Sequence, residues 1–447
     1  MSPVITASTS SIWRLTWPTI LSNIAFMLMG LVFLKIAGGM GTDEVAAATT
    51  GQRLFFMFYA IMMGLSSGTT AMVGRYWGGG DKNLAGRLAA LSVVIFSFDG
   101  LLLCWIAIPF REQLVGIFGL TQESNRLAVE FVFWTILFAP AMLAQMVLSF
   151  ALRATGDTAT PLAMALISVI LGVYCGIAAT FGWHGLASRG LSGLAIGSGI
   201  GATITVAGFL ALWVGGVLSF KPKNPLPGFI TNGKALIKIG TPAAVEQMFF
   251  QAGLLVFLVF LTSYGNAAFA TYGIGLSILG LMIVVAYSFS ISSAILVSQH
   301  LGAGDKQGAY DAAKKTARTS VYLMIVGGAV ISLFAEEIAR FMIDDPEVIS
   351  LMVPFIYIIS CSLPLMGIEF SMAGALRGAG DTRYPMMVTL FSIALSRVLV
   401  PWILVKMGAD VIWLYATSLL DFGIKSSLNT IRFRKKAWLN LKITNNE

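Results

Sequence analysis

Charge is scarce in this chain. Lys, Arg, Asp and Glu together make 11% of its 447 residues, against roughly 25% in a soluble domain. Histidine occurs twice, as His184 and His300, far apart in sequence, so no pair of imidazole ligands is on offer. The three cysteines, Cys104, Cys175 and Cys361, fall inside apolar runs, which points away from a disulfide framework or a thiolate metal cluster. No GxxxxGK[ST] loop is present, which argues against an ATP-driven pump. A membrane enzyme would need a catalytic constellation, and the sparse histidines speak against one. Residues 1–12 lack a basic n-region and a cleavage pattern, so the first apolar run is expected to remain as a helix.

What the chain does have is hydrocarbon, at 57% hydrophobic residues. Runs of about 20 apolar residues are long enough to cross a bilayer. The first half supplies runs near 13–37, 50–74, 86–109, 128–151, 160–182 and 191–218. The second supplies 236–262, 268–299, 316–335, 349–375, 384–406 and 409–430. The two halves are copies. Residues 151–161 read ALRATGDTATP and residues 375–385 read ALRGAGDTRYP, identical at seven of eleven positions and 224 apart. The same step relates Pro18 to Pro242, Asp81-Lys82 to Asp305-Lys306, and Pro140 to Pro364. A fixed internal offset is the mark of a duplicated unit.

Between the copies lies FKPKNPLPGFITNGK, a polar stretch rich in Pro and Lys that reads as a linker. The expected organisation is an N-lobe at 1–218, a linker at 219–235 and a C-lobe at 236–447 that ends in a basic tail. The net charge of +8 does not indicate a nucleic acid partner, because the basic residues fall in short loops between apolar runs. Twenty Lys and Arg residues lie in one set of alternate loops and tails, from Arg14 to Lys442, and six in the other. That bias places both termini in the cytoplasm. Six helices per copy is an even number, so the copies are parallel. The fold class is an all-α polytopic membrane protein of twelve helices in two six-helix bundles. Such lobes usually enclose a cavity that rocks open to either side, which argues by analogy for a transporter. A lone carboxylate gives no ring of ligands for a channel filter.

The paired ALRxxGDTxxP turns, Pro18 and Pro242, and the exits GRYWGGGDKNLAGR (74–87) and SQHLGAGDKQGAYDAAKK (298–315) together resemble the multidrug and toxic compound extrusion (MATE) family. The resemblance covers nearly the whole chain. It implies a monomeric antiporter of the bacterial inner membrane, not an enzyme. It would export small organic, often cationic compounds against proton or sodium entry, with no cofactor beyond that ion. A flippase of a lipid-linked or anionic substrate in the same superfamily is the alternative, kept open by Lys35 and Arg397.

Within the turns, Gly156 and Gly380 can take positive φ and end a helix. Arg153 and Arg377 suit a helix C-terminus. Asp157 and Asp381 are placed either to cap the next helix or to pair with those arginines. These four are expected to be structural, with the transport chemistry elsewhere.

An ionisable group at membrane depth is costly and points to function. Glu246, in TPAAVEQMFFQAG four residues after Pro242, is the clearest such group. Burial disfavours the charged form of a carboxyl, which lets such a group load and unload a proton. The resemblance implies a C-lobe proton or cation site at this glutamate. Glu369 is the second ion-coupling candidate; Met366 takes the place where MATE relatives often carry an aspartate, and Glu369 follows three residues later. A packing role is the alternative at both. Gln247, Gln251, Gln145, Lys35, Asp99 and Phe250 are the cavity candidates. Phe33 stands where many relatives have an N-lobe aspartate. Lys35 is expected either to snorkel to the interface or to stand in for a coupling cation, with Asp99 as an open partner. Asp421 and Lys425, four apart, are placed to neutralise one another.

Overall fold

The structure, a computed structural model, describes residues 8–185, 187–221, 223–441 and 443, and every regular element in them is helical. Lys442, counted among the basic residues, and the opening residues 1–7 lie outside the described residues. The first copy runs α1 (Thr9–Met40), α2 (Thr42–Leu65), α3 (Ser67–Gly78), α4 (Lys82–Ala107), a short α5 (Arg111–Gly116), α6 (Gln122–Leu137), α7 (Ala139–Ala154), α8 (Ala159–Phe181) and α9 (Ser192–Val214). The second runs α10 (Phe229–Thr262), α11 (Asn266–Gly302), α12 (Lys306–Leu333), a short α13 (Ala335–Met342), α14 (Pro346–Gly378), α15 (Arg383–Ile393), a π-helical turn (Ala394–Leu399), α16 (Val400–Lys406) and α17 (Val411–Arg434).

Every expected apolar run coincides with a helix or a pair of helices. Among the described residues, ten are long and apolar enough to cross a membrane, or eleven if α6 and α7 count as one span bent by 50°. That bend falls at Phe138, just before Pro140, where the missing proline N–H interrupts the ladder. The twelfth run, α17, is a helix of 24 residues but is set apart by its polar content, Asp421 and Lys425 included.

The two copies build their exits alike. Asp81 accepts a hydrogen bond from Leu84 N (2.9 Å) and Asp305 from Gly308 N (2.7 Å), each closing the start of the following helix. The Gly308 N–H holds the Asp305 carboxyl below the usual carboxylate range. In the repeated turn, Gly156 and Gly380 adopt φ of 92° and 89°, a conformation that glycine alone takes without strain.

Two compact units result, one of Trp17–Ile237 and the other of Lys238–Glu447 with Met1–Thr16. The change of unit falls at 237/238, and the opening of α1 goes with the second unit. The reasons are local. Trp13 packs edge-on against Phe289 at 6.0 Å, and Thr16 shares a 2.8 Å hydrogen bond with Ser292. Within the first unit Phe220 is fully buried against Trp213, so the linker begins as packed chain.

In the first unit α8 and α9 meet along glycines. A Cβ on Gly197 would strike the backbone of Gly176, and one on Gly193 would strike Thr180 N. Close backbone approach through small residues is a common way for helices to associate in lipid. The positions 224 residues on from Gly197 and Gly201 are Asp421 and Lys425. There the partner helix winds as the π turn Ala394–Leu399, a device often found at functional sites.

Gly197→Ala is expected to destabilise the protein by about 1–3 kcal/mol through overpacking. Gly423→Ala, where nothing lies within 4 Å, should be neutral or stabilising. Thermal unfolding in detergent checks both; an unchanged melting temperature for Gly197→Ala would refute the seam.

Candidate functional site

Glu246 lies in α10 with 4% of its surface exposed. A carboxylate so buried needs partners, and two further helices, α14 and α15, supply them. Arg377, in the last turn of α14, donates from Nη2 to Glu246 Oε1 at 2.7 Å. Thr389 of α15 donates to the same oxygen at 2.9 Å. Arg377 Nη1 also reaches Ser290 Oγ of α11 at 3.4 Å. Glu246 Oε2 is buried and has no hydrogen-bond partner among the described residues.

A second cluster lies on α17. Asp421, 1% exposed, accepts from Ser392 Oγ at 2.6 Å and from Lys425 at 3.0 Å, with Arg397 Nη2 at 3.6 Å. Arg397 comes from the π turn and sits over the Phe257 ring at 4.9 Å. The Lys425 ammonium sits over Phe250 at 5.5 Å. Glu369, also buried, lies in the field of Lys425 and Arg377 as opposite charges and of Glu246 and Asp421 as like ones. Three acids and three bases thus share one region of the second unit.

The structure brings Glu246 and Glu369 into electrostatic reach of each other, with Phe250 under Lys425. Gln247 and Gln251 are half-buried on α10 and make no side-chain hydrogen bond among the described residues. The remaining candidates lie in the first unit. Gln145 is buried and accepts from Ser168 Oγ at 3.3 Å. Lys35 is exposed and Asp99 half-buried, and no ion pair joins them among the described residues.

The turn residues split. Asp157 accepts from Thr160 N at 3.0 Å and Thr160 Oγ1 at 2.7 Å, tying down the first turn of α8. Asp381 binds Arg432 Nε at 2.8 Å rather than Arg377. Arg153 is buried beside Phe150. Arg377 ends α14 as expected, but it also holds Glu246, so the turn motif is not separate from the buried charges. Thr389 and Ser392 carry no signal in the sequence, because serine and threonine are plentiful and nothing local marks these two.

Symmetry separates scaffold from site. Glu246, Arg397, Asp421 and Lys425 correspond to Ser22, Val173, Gly197 and Gly201 in the first copy. The shared architecture therefore forms without these charges. Asp421→Asn leaves Lys425 and Arg397 buried without their anion and should cost about 3–5 kcal/mol. Asp421→Asn combined with Lys425→Met should recover part of that loss in detergent melts; additive losses would refute the coupling.

The family signature described as MatE matches residues 18–177 and 242–403. A probable multidrug resistance protein NorM of Thermotoga maritima is 26% identical over 95% of this chain and 92% of its own. The FAD transporter of Shewanella oneidensis is 23% identical over 80% of this chain and 78% of its own. Among solved structures, the Vibrio cholerae MATE transporter VcmN superposes with a TM-score of 0.86 at 20% identity, over 95% of this chain and 96% of its own. A Pyrococcus furiosus transporter of the MOP superfamily, described as having a binding pocket of reverse polarity and a suggested different function, also scores 0.86, at 17% identity over 95% and 96%. With a signature matched across both copies and a fold shared over nearly the full length, the chain belongs to the MATE family of transmembrane transporters.

Proposed function

We propose that the protein is a secondary active antiporter that exports organic, often cationic compounds in exchange for protons or sodium. Glu246 is the coupling carboxylate and Glu369 its second. The observation that carries this reading is the burial of Glu246 in a charge network that only one of two matching copies possesses. A fold that forms without a buried carboxylate has no structural need of one, and an ionisable group at membrane depth is costly to keep. An ion arriving from outside neutralises Glu246, and this differential binding favours the state that releases substrate outward. Relatives called multidrug resistance proteins support the class of substrate. The loop bias of twenty basic residues against six supports cytoplasmic termini in a bacterial inner membrane. The transporting unit is a monomer.

A second reading, export of an anionic or lipid-linked substrate, is favoured by the buried cation Lys425 and the half-buried Arg397. A FAD transporter among the relatives, with its anionic cargo, supports it too.

Efflux of a fluorescent organic cation from proteoliposomes under an imposed proton or sodium gradient tests the first reading. Glu246→Gln should reduce gradient-driven efflux by roughly tenfold or more while remaining folded. Normal ion-driven export by that variant would sink the assignment. No efflux under either gradient, with export of an anionic probe instead, would favour the second reading.

A further inference from the structure

Resting on the reading of Glu246 as the coupling carboxylate, we infer that Arg377 is a resident counter-ion that reserves this carboxylate for a proton and shuts sodium out. The Glu246 Oε1 atom already accepts from Arg377 at 2.7 Å and from Thr389 at 2.9 Å. Its other oxygen, Oε2, is buried and without a partner among the described residues. A proton needs only one such lone pair. A sodium ion needs a shell of oxygens and a local excess of negative charge.

The surroundings supply no such excess. From α14 come Arg377 and Glu369, from α11 Ser290 and Tyr287, and from α15 Thr389. From α17 come Asp421 and Lys425, with Arg397 of the π turn bound to Asp421. Glu246, Glu369 and Asp421 are thus matched by Arg377, Lys425 and Arg397. A sodium ion touching Glu246 would also lie within a few ångströms of the Arg377 guanidinium, and like charges that close repel strongly in a medium less polar than water. Among the described residues, no group of three or more His, Cys, Asp or Glu is arranged to hold a metal ion.

The step itself is simple. A proton bonds to Glu246 Oε2, the carboxylate becomes the neutral acid, and its ion pair with Arg377 is lost. Arg377 stays protonated, with Ser290 Oγ within 3.4 Å. Loss of the proton to the other side restores the pair. No other bond changes.

The test measures sodium binding directly. Melting temperatures of the purified full-length protein are followed as sodium chloride replaces choline chloride at constant ionic strength. Wild type, Arg377→Gln and Arg377→Lys are compared. Wild type and Arg377→Lys should show no sodium-dependent stabilisation. Arg377→Gln should acquire it, its melting temperature rising with sodium where that of the wild type stays flat. Sodium stabilisation of the wild type, or none in a folded Arg377→Gln, overturns the proposal.

If Arg377→Gln does not fold, wild-type proteoliposomes decide: efflux driven by sodium overturns the proposal, and efflux driven by protons alone supports it. Failure of both gradients to drive efflux counts against the antiporter reading, while sodium stabilisation in the wild-type melts still overturns the proposal.

Discussion

The ion pair between Arg377 and Glu246 sets the terms for the second half of the molecule. Taking two charges out of water costs several kcal/mol per ion, and their attraction offsets this only when geometry and further hydrogen bonds are good. Here a 2.7 Å contact, the Thr389 hydroxyl and Ser290 provide that setting. Four helices, α10, α11, α14 and α15, must therefore hold their relative positions closely. Any change in the charge of one member is felt by all four, which is the property a coupling site requires.

The duplicated architecture makes the assignment sharper than a single bundle would allow. Both copies use a proline inside the opening helix, an Asp at the start of the third membrane helix, and a glycine at positive φ in the repeated turn. Those shared features are what the fold needs. The first copy then fills the space between α8 and α9 with glycine backbone, while the second places Asp421, Lys425 and Arg397 at or beside the matching positions. The same frame has been packed for closeness in one half and for charge in the other.

Much of this was legible in the sequence because it rests on patterns that repeat or persist. Long apolar runs announce membrane helices whatever surrounds them, and the offset of 224 residues exposes the duplication. Glu246 stood out because a carboxylate among apolar neighbours is anomalous by itself. What could not be read was which cation answers it. Arg377 lies 131 residues away, in a motif whose twin carries Arg153 in a copy with Ser22 at the place of Glu246. Its position at a helix end was a sufficient local reason for an arginine. An arginine side chain leans back toward the N-terminus of its helix, which lets a residue in the last turn serve a group at membrane depth. The grouping of the opening of α1 with the second unit was hidden for a similar reason. Trp13, Thr16 and Phe220 show nothing unusual until their tertiary neighbours are known.

The glycine seam between α8 and α9 has a consequence for how this transporter can change its cargo. Along that seam an added methyl meets backbone, so the first unit has little room there for new polar groups. In the second unit the matching space already holds long, charged side chains of both signs. Substitutions that add polar side chains should thus be tolerated better on α10, α14 and α17 than along the glycine seam. The duplication has divided the labour of keeping shape from that of acquiring chemistry.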